Sequence, residues 1–197
     1  MFNGIIFDKG TVFKIQKRNK GINLFIHSSL KLAKKSLGVS ISCDGVCLTL
    51  ISYKNKILEF YLSKETLDKS KFKNLKLQDQ VNLELPLKFG QNISGHICQG
   101  HVDTVATLKN KNKVDKSIIL EFKIDKYFLK QLVEKASILV NGVSLTVSKI
   151  KKGSFEIWVI PHTLKLTNLK NLTKNELVNI EIDVLSKYVK KYINEKK

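Results

Sequence analysis

The chain of 197 residues is poor in arginine, cysteine and acidic groups, and it has no long apolar run. Each shortage excludes something. No apolar stretch approaches the roughly 20 residues that span a bilayer as a helix. The opening Met1-Phe2-Asn3-Gly4-Ile5-Ile6-Phe7-Asp8 has no basic region leading into one, so neither a membrane helix nor a secretory signal is expected. Cys43, Cys47 and Cys98 are odd in number and lack zinc spacing, which makes reduced thiols in a cytoplasm the simplest reading. Cys43 and Cys47, read as four apart on one strand, would lie about 13 Å from each other, too far for a disulfide. Lys plus Arg is 35 against 17 Asp plus Glu, a net charge of +18, yet Arg18 is the only arginine. Arginine is the favoured fork for phosphate and guanine. The lysines are also scattered (Lys31, Lys34 and Lys35; Lys109, Lys111 and Lys113; Lys190, Lys191, Lys196 and Lys197). The charge therefore reads as a solvated coat and not as a nucleic-acid surface. Aromatics alternating within strands read as core, which also weighs against a binder that stacks bases. At 43% hydrophobic residues, general disorder is excluded.

What is present is a repeat. Ile41-Ser42-Cys43-Asp44-Gly45-Val46-Cys47-Leu48-Thr49-Leu50 returns 97 residues on as Ile138-Leu139-Val140-Asn141-Gly142-Val143-Ser144-Leu145-Thr146-Val147. Glu65-Thr66-Leu67 returns as His162-Thr163-Leu164, and Val81-Asn82-Leu83-Glu84 as Val178-Asn179-Ile180-Glu181, at the same shift. Ile22 and Phe25 fall on Ile119 and Phe122. A period this long describes a duplicated domain, residues 1–97 and 98–183, and not a solenoid. Runs such as 56–62 and 154–160 are β-branched and aromatic between polar turns, and Asp44-Gly45 and Asn141-Gly142 are hairpin dipeptides. The fold class is all-β, each copy a small closed barrel. Short helices are expected over Ser29–Lys35 and Lys126–Lys135. Residues 184–197 lie outside the repeat. Behind Asp183 as N-cap, Leu185, Val189 and Ile193 form one helical stripe flanked by Val184, Tyr188 and Tyr192, a face expected to join subunits.

Polar positions that differ between the copies are candidates for divided labour: Cys47 against Ser144, Glu65 against His162, Gly4 against His101. A thiol and an imidazole on equivalent strands have the chemistry of a nucleophile and a base, or of a buried thiol and a satisfied histidine. Between the copies runs Ser94-Gly95-His96-Ile97-Cys98-Gln99-Gly100-His101-Val102-Asp103. Its two glycine-flanked histidines make a weak zinc motif and a better place for a planar ligand against backbone.

These residues resemble the riboflavin synthase family. The resemblance rests on Met1-Phe2-Asn3-Gly4-Ile5-Ile6, Asp44 to Thr49, Glu65-Thr66-Leu67, Gly95-His96 with Gly100-His101-Val102-Asp103, Gly142 to Val147, Ile160-Pro161-His162-Thr163-Leu164 and Val178 to Asp183. It covers essentially the whole chain. It implies two tandem six-stranded antiparallel Greek-key barrels with a C-terminal helix that builds a homotrimer. The implied reaction is dismutation of two 6,7-dimethyl-8-ribityllumazine molecules to riboflavin and 5-amino-6-ribitylaminouracil, without metal or redox cofactor, with lumazine synthase as an expected partner. By resemblance, one pocket comprises Gly4, Ile5, Ile6, Cys47, Leu48, Thr49, Tyr61, Leu62, Ser63, Lys64, Glu65 and Thr66. The other comprises Gly100, His101, Val102, Ser144, Leu145, Thr146, Ile160, Pro161, His162, Thr163, Leu164 and Lys165, with Lys135 at a contact position. His101 is the expected base for the acidic 7-methyl group. Cys47, Ser144 or a water is the expected nucleophile at C7, with Ser40 and Asp183 orienting these groups. The chain departs from the family at Leu85, where an arginine is usual and an ion pair of Glu84 is put in doubt, and at Ser94 and Ala136, where glycine is usual. A non-catalytic lumazine- or flavin-binding relative is the alternative reading.

Overall fold

A computed structural model describes residues 1–32 and 36–195. Twelve strands form two closed antiparallel barrels. The first contains β1 (Asp8–Arg18), β2 (Gly21–His27), β3 (Ser40–Cys43), β4 (Val46–Lys54), β5 (Ile57–Ser63) and β6 (Gln80–Glu84). The second contains β7 (Thr104–Val114), β8 (Ser117–Lys123), β9 (Ser137–Val140), β10 (Val143–Lys151), β11 (Ser154–Val159) and β12 (Leu177–Ile182). The order around the first barrel is β1-β2-β5-β4-β3-β6, and the second repeats it strand for strand. Placing β2 beside β5, outside the β3-β4-β5 meander, is a Greek-key arrangement. Closure leaves no sheet edge. It is helped by bulges at matching places, between Val12 and Lys14 and between Leu50 and Ser52 in one barrel, Leu108 and Asn110 and Val147 and Lys149 in the other.

Alternation fills each barrel. Leu24, Ile26, Leu48, Leu50, Leu58, Phe60 and Leu62 are buried in the first, and Leu120, Phe122, Val147, Phe155, Ile157 and Val159 in the second. Each such side chain contributes about 1.5–3 kcal/mol. Asp44-Gly45 and Asn141-Gly142 make two-residue hairpin turns with positive φ at both positions, the geometry that asparagine, aspartate and glycine tolerate. The Asp44-Gly45 turn puts Cys43 at the end of β3 and Cys47 on β4, so the two thiols lie on paired strands and not on one; all three cysteines are free.

The copies are not related by one constant shift. Leu24 pairs with Phe60 and Leu120 with Ile157, so β2 and β8 are 96 residues apart, whereas β5 and β11 are 97 apart. The matches of Ile22 with Ile119 and Phe25 with Phe122 are therefore out of register by one. A one-residue slip exchanges the two faces of a strand: Phe122 is buried, and its true counterpart is the buried Ile26, while Phe25 is only half-buried. The extra residue lies between β8 and β9.

The helix expected over Lys126–Lys135 is only α2 (Lys126–Leu129), capped by Asp125, because the chain turns early to bring the Lys135 N–H to the Val147 carbonyl at 2.7 Å. Of Ser29–Lys35, residues 29–32 are irregular and 33–35 lie outside the described residues. Further helices are α1 (Lys64–Lys69), α3 (Pro161–Leu166) and α4 (Val184–Glu195). In α4 the Asp183 carboxylate accepts from the Leu185 N–H, as an N-cap does; Lys196 and Lys197 lie outside the described residues. Among the described residues no helix is long and apolar enough to cross a membrane.

The aromatics divide more evenly than expected. Phe2, Phe60, Phe72, Phe122 and Phe155 are buried, whereas Phe7, Phe13, Tyr61, Phe89, Tyr127, Trp158, Tyr188 and Tyr192 are exposed. The lysine coat has exceptions too: Lys109 pairs with Glu121, Lys111 donates to the Lys170 and Leu172 carbonyls, and Lys71 is almost buried.

The barrels meet around an approximate two-fold axis. A Cβ on Gly45 would stand 2.9 Å from the Gly142 nitrogen, and one on Gly142 2.7 Å from the Gly45 nitrogen, so only glycine permits this backbone contact. Around it Asn82 donates to the Asn141 carbonyl and Asn179 to the Asp44 carbonyl. Asn168 donates to Asp44 Oδ1, and Asp44 Oδ2 lies 2.7 Å from Lys71 Nζ.

Candidate functional site

The two lead-in segments cross. Residues before β1 belong by sequence to the first barrel, yet Gly4 accepts from the Ser144 N–H of β10 at 2.8 Å. Gly100, which leads into β7, accepts from the Cys47 N–H of β4 at 2.7 Å. Both glycines have positive φ, and a Cβ at either would meet Ser144 or Cys47 within 2.7 Å. Ile6 packs on the second core and Val102 on the first. The expected grouping is therefore exchanged. The segment Gly4-Ile5-Ile6 runs beside Ser144, and the segment Gly100-His101-Val102 runs beside Cys47. The counterpart of Gly4 is Gly100, and that of His101 is Ile5.

A buried carboxylate holds each crossing segment. Glu84, at the end of β6, accepts from the N–H groups of Asn3 and Gly4 at 2.8–3.1 Å. Glu181 on β12 accepts from Gln99, Gly100 and His101 at 2.7–2.8 Å. Glu84 thus serves backbone donors, which accounts for its tolerance of Leu85 in place of an arginine. Burial pushes the Glu84 carboxyl up to about 7 and raises that of Glu181, in each case against the pull of these donors.

The Glu84 shift has a pH consequence. Between its ordinary 4.5 and about 7, the folded chain keeps a proton that the unfolded chain has released. The stabilisation it gives is complete below the unfolded value and is lost as pH rises through the folded one. Its slope across that window is at most about 1.4 kcal/mol per pH unit. Urea unfolding of the wild type and Glu84→Gln at several pH values measures it. The difference between the two is expected to shrink from pH 7 to 4.5 if Glu84 is held charged, and to grow if it keeps the proton; a difference that grows toward acid is the expected result.

Cys47 and Thr49 alternate with buried Leu48 and Leu50 along β4, so they face outward; on β10 Ser144 and Thr146 alternate with buried Val143 and Val147 and with Leu145, which packs on the second core. These expected site residues therefore lie on the outer walls, not inside the barrels. Leu48, Leu62 and Leu164 point into cores, which leaves only their backbone for a ligand. Ser40 pairs with Thr49 and borders the first pocket. Tyr61, Leu62 and Ser63 end β5, and Ser63 caps α1 through the Thr66 N–H, holding Lys64, Glu65 and Thr66 at the pocket's end. In the second copy Ile160 precedes α3, which begins at Pro161 and carries His162, Thr163 and Lys165.

On the second barrel an open cleft of about 600 Å³ is lined by Ile119, Lys135, Thr146, Ser148, Lys149, Glu156 and Trp158. This is the size of a small-molecule site, and only Lys135 and Thr146 in it were legible beforehand. Lys135 has φ +70, where the first copy has Gly38 at +83. A non-glycine residue there costs about 1–2 kcal/mol, and it sets an ammonium-bearing side chain on the cleft. A cleft of about 730 Å³ between the barrels, lined by matched pairs such as Lys71 and Asn168 or Asp79 and Glu176, holds none of the expected site residues.

His96, absent from the expected pockets, sits with Nδ1 2.7 Å from Ser144 Oγ. Burial lowers its affinity for a proton, while Asp183 opposes the shift. Its signals in the sequence are the pair of glycine-flanked histidines in the joining segment and the place of Gly95-His96 among the residues that carry the resemblance.

Comparison with known proteins agrees with this architecture. Residues 3–86 and 99–183 each match the lumazine binding domain family, with starts 96 apart and ends 97 apart. The riboflavin synthase of Actinobacillus pleuropneumoniae is 32% identical over 196 residues, covering 100% of this chain and 91% of that protein. That of Chlamydia pneumoniae is 36% identical over 190 residues, covering 95% and 92%. The solved structure of LumP complexed with 6,7-dimethyl-8-(1'-D-ribityl) lumazine is 26% identical with a TM-score of 0.80, covering 92% of this chain and 98% of LumP. LumP complexed with riboflavin gives 25% and 0.83, covering 92% and 99%. By its two matched domains and its full-length relatives, the chain belongs to the riboflavin synthase family.

Proposed function

We propose that the protein converts two molecules of 6,7-dimethyl-8-ribityllumazine into riboflavin and 5-amino-6-(D-ribitylamino)uracil by four-carbon transfer, a transferase activity (EC 2.5.1.9) and the last step of riboflavin biosynthesis. The observation that supports this reading is the pair of like, outward-facing walls around Cys47 and Ser144, each met by the lead-in segment of the other copy. A reaction between two copies of one substrate needs two similar sites, and duplication supplies them. Lining each with backbone N–H and C=O groups suits a flat heterocycle. The pockets differ in the groups beside them, Cys47 with His101 in one and Ser144 in the other, as donor and acceptor roles require. Much of the acceleration comes from holding the two heterocycles in register.

His101 takes a proton from the 7-methyl group. Its backbone is fixed by Glu181, so its exposed imidazole starts from a set position. Cys47, Ser144 or a water adds at C7 of the other lumazine, with Ser40 and Asp183 orienting these groups. The protein works as a homotrimer in the cytoplasm, with lumazine synthase as supplier of its substrate. The α4 stripe supports the assembly, since Leu185 is 70% exposed and Val189 and Ile193 more than half.

Incubation with the lumazine alone is expected to give flavin absorbance, with two lumazines consumed per riboflavin. Tight lumazine binding without flavin favours the non-catalytic reading, which the likeness to LumP keeps in view. His101→Ala is expected to lower kcat about 100-fold with a smaller change in lumazine affinity; an unchanged kcat removes His101 as the base.

A further inference from the structure

The joining segment runs from one pocket to the other. Its Gly95 lies against Ser144, where an added Cβ would stand 2.8 Å from the serine Cβ, and its Gly100 lies against Cys47. It therefore delivers His96 to the second pocket and His101 to the first. His96 is anchored on both sides. The Gly95 N–H donates to the Asn3 side chain at 2.8 Å, the His96 N–H donates to the Asn3 carbonyl, and the Cys98 thiol donates to the His96 carbonyl. Ser144 is held as well, its N–H donating to Gly4. Two fixed backbones thus bring Nδ1 and Oγ to 2.7 Å. Among the described residues no hydrogen bond reaches the Cys47 thiol, so the pockets differ here.

Resting on the proposed function, we propose that His96 is a positioning residue that acts through Ser144, accepting the serine hydroxyl proton in a hydrogen bond at Nδ1 and thereby aiming the Oγ lone pairs at the lumazine in the second pocket. Burial favours the neutral form of the half-buried imidazole, which has one free nitrogen lone pair. With the hydroxyl proton committed to Nδ1, the oxygen is left as an acceptor and an electron-rich partner for the bound ring. A freely rotating hydroxyl would spend much of its time otherwise directed.

The test is a double-mutant cycle on the full-length protein, with kcat from flavin formation and lumazine affinity from ligand fluorescence. Wild-type turnover comes first, because a wild type that makes no flavin sinks the proposed function and not this inference. His96→Leu is expected to lower kcat by 10–100-fold while lumazine affinity changes less than threefold. His96→Asn places an acceptor oxygen near the position of Nδ1 and is expected to recover at least a third of the wild-type kcat. Adding His96→Leu to Ser144→Ala is expected to cost less than a further threefold, because the partner it acts through is gone. Multiplying losses, or an asparagine variant no better than leucine, would overturn the assignment. Should His96→Leu not fold, the ¹⁵N resonances of His96 in the wild type and Ser144→Ala decide: a shift at Nδ1 in the serine variant supports the bond, and no shift overturns it.

Discussion

A chain ended at Asp183 is expected to stay folded, sediment as a monomer, and make flavin at least 1,000-fold more slowly. The polar side of α4 meets its own barrel, through Lys187 Nζ at 2.8 Å from Asp103 and Lys190 over the Tyr127 ring. The opposite side presents Leu185, Val189 and Ile193 to solvent. Losing a surface ion pair costs about 0–1 kcal/mol, and both cores lie upstream, so the truncated barrels keep their stability. Burying three such side chains per subunit supplies several kcal/mol toward assembly at about 1.5–3 kcal/mol each. The charge of +18 per chain opposes it, so association of the intact chain should tighten with moderate salt. Cys47, Thr49, Ser144 and Thr146 face outward from the barrels, and on the proposed function two lumazines held there meet when another subunit faces them. Holding reactants together is worth many orders of magnitude in rate, hence the size of the expected loss, while single lumazine binding survives. Sedimentation and activity of the truncation, measured together, are decisive: a fully active monomer would end the inter-subunit reading.

Lys71→Met is expected to destabilise the protein by about 3–5 kcal/mol, the cost of leaving a buried charge without its partner. The Asp44 carboxylate is completely buried between the barrels, 2.7 Å from the Lys71 ammonium. Burial raises its carboxyl above the ordinary range even with that ammonium pulling down. The second copy shows the neutral solution. There the same two places hold Asn141 and Asn168, which meet at 3.4 Å. The double variant Asp44→Asn with Lys71→Asn is therefore expected to recover most of the loss, since the amide oxygen introduced by Asp44→Asn can still accept from the Asn82 N–H. Denaturant unfolding of the three proteins checks this. A Lys71→Met variant as stable as the wild type would mean that water reaches Asp44.

Residue patterns by themselves determined the duplication, the barrel class, the two Asp-Gly and Asn-Gly hairpins and the capped, striped terminal helix. Each depends on contacts between near neighbours or on repeated spacing, which a linear chain displays. Tertiary structure alone decided the change of shift from 96 to 97, because a single inserted residue between β8 and β9 is invisible until strand partners show which side chains face inward. It alone decided that the lead-in segments cross, which sets Gly4-Ile5-Ile6 beside Ser144 and Gly100-His101-Val102 beside Cys47. That crossing is made by hydrogen bonds between residues about 50 to 140 positions apart, and backbone donors carry no side-chain signature. The same holds for Glu84 and Glu181, whose carboxylates serve N–H groups that any residue possesses, and for His96, whose meaning depends on a serine 48 residues away. Local pattern reports which face of an element is apolar; which distant backbone that element then touches follows from closing two barrels against each other.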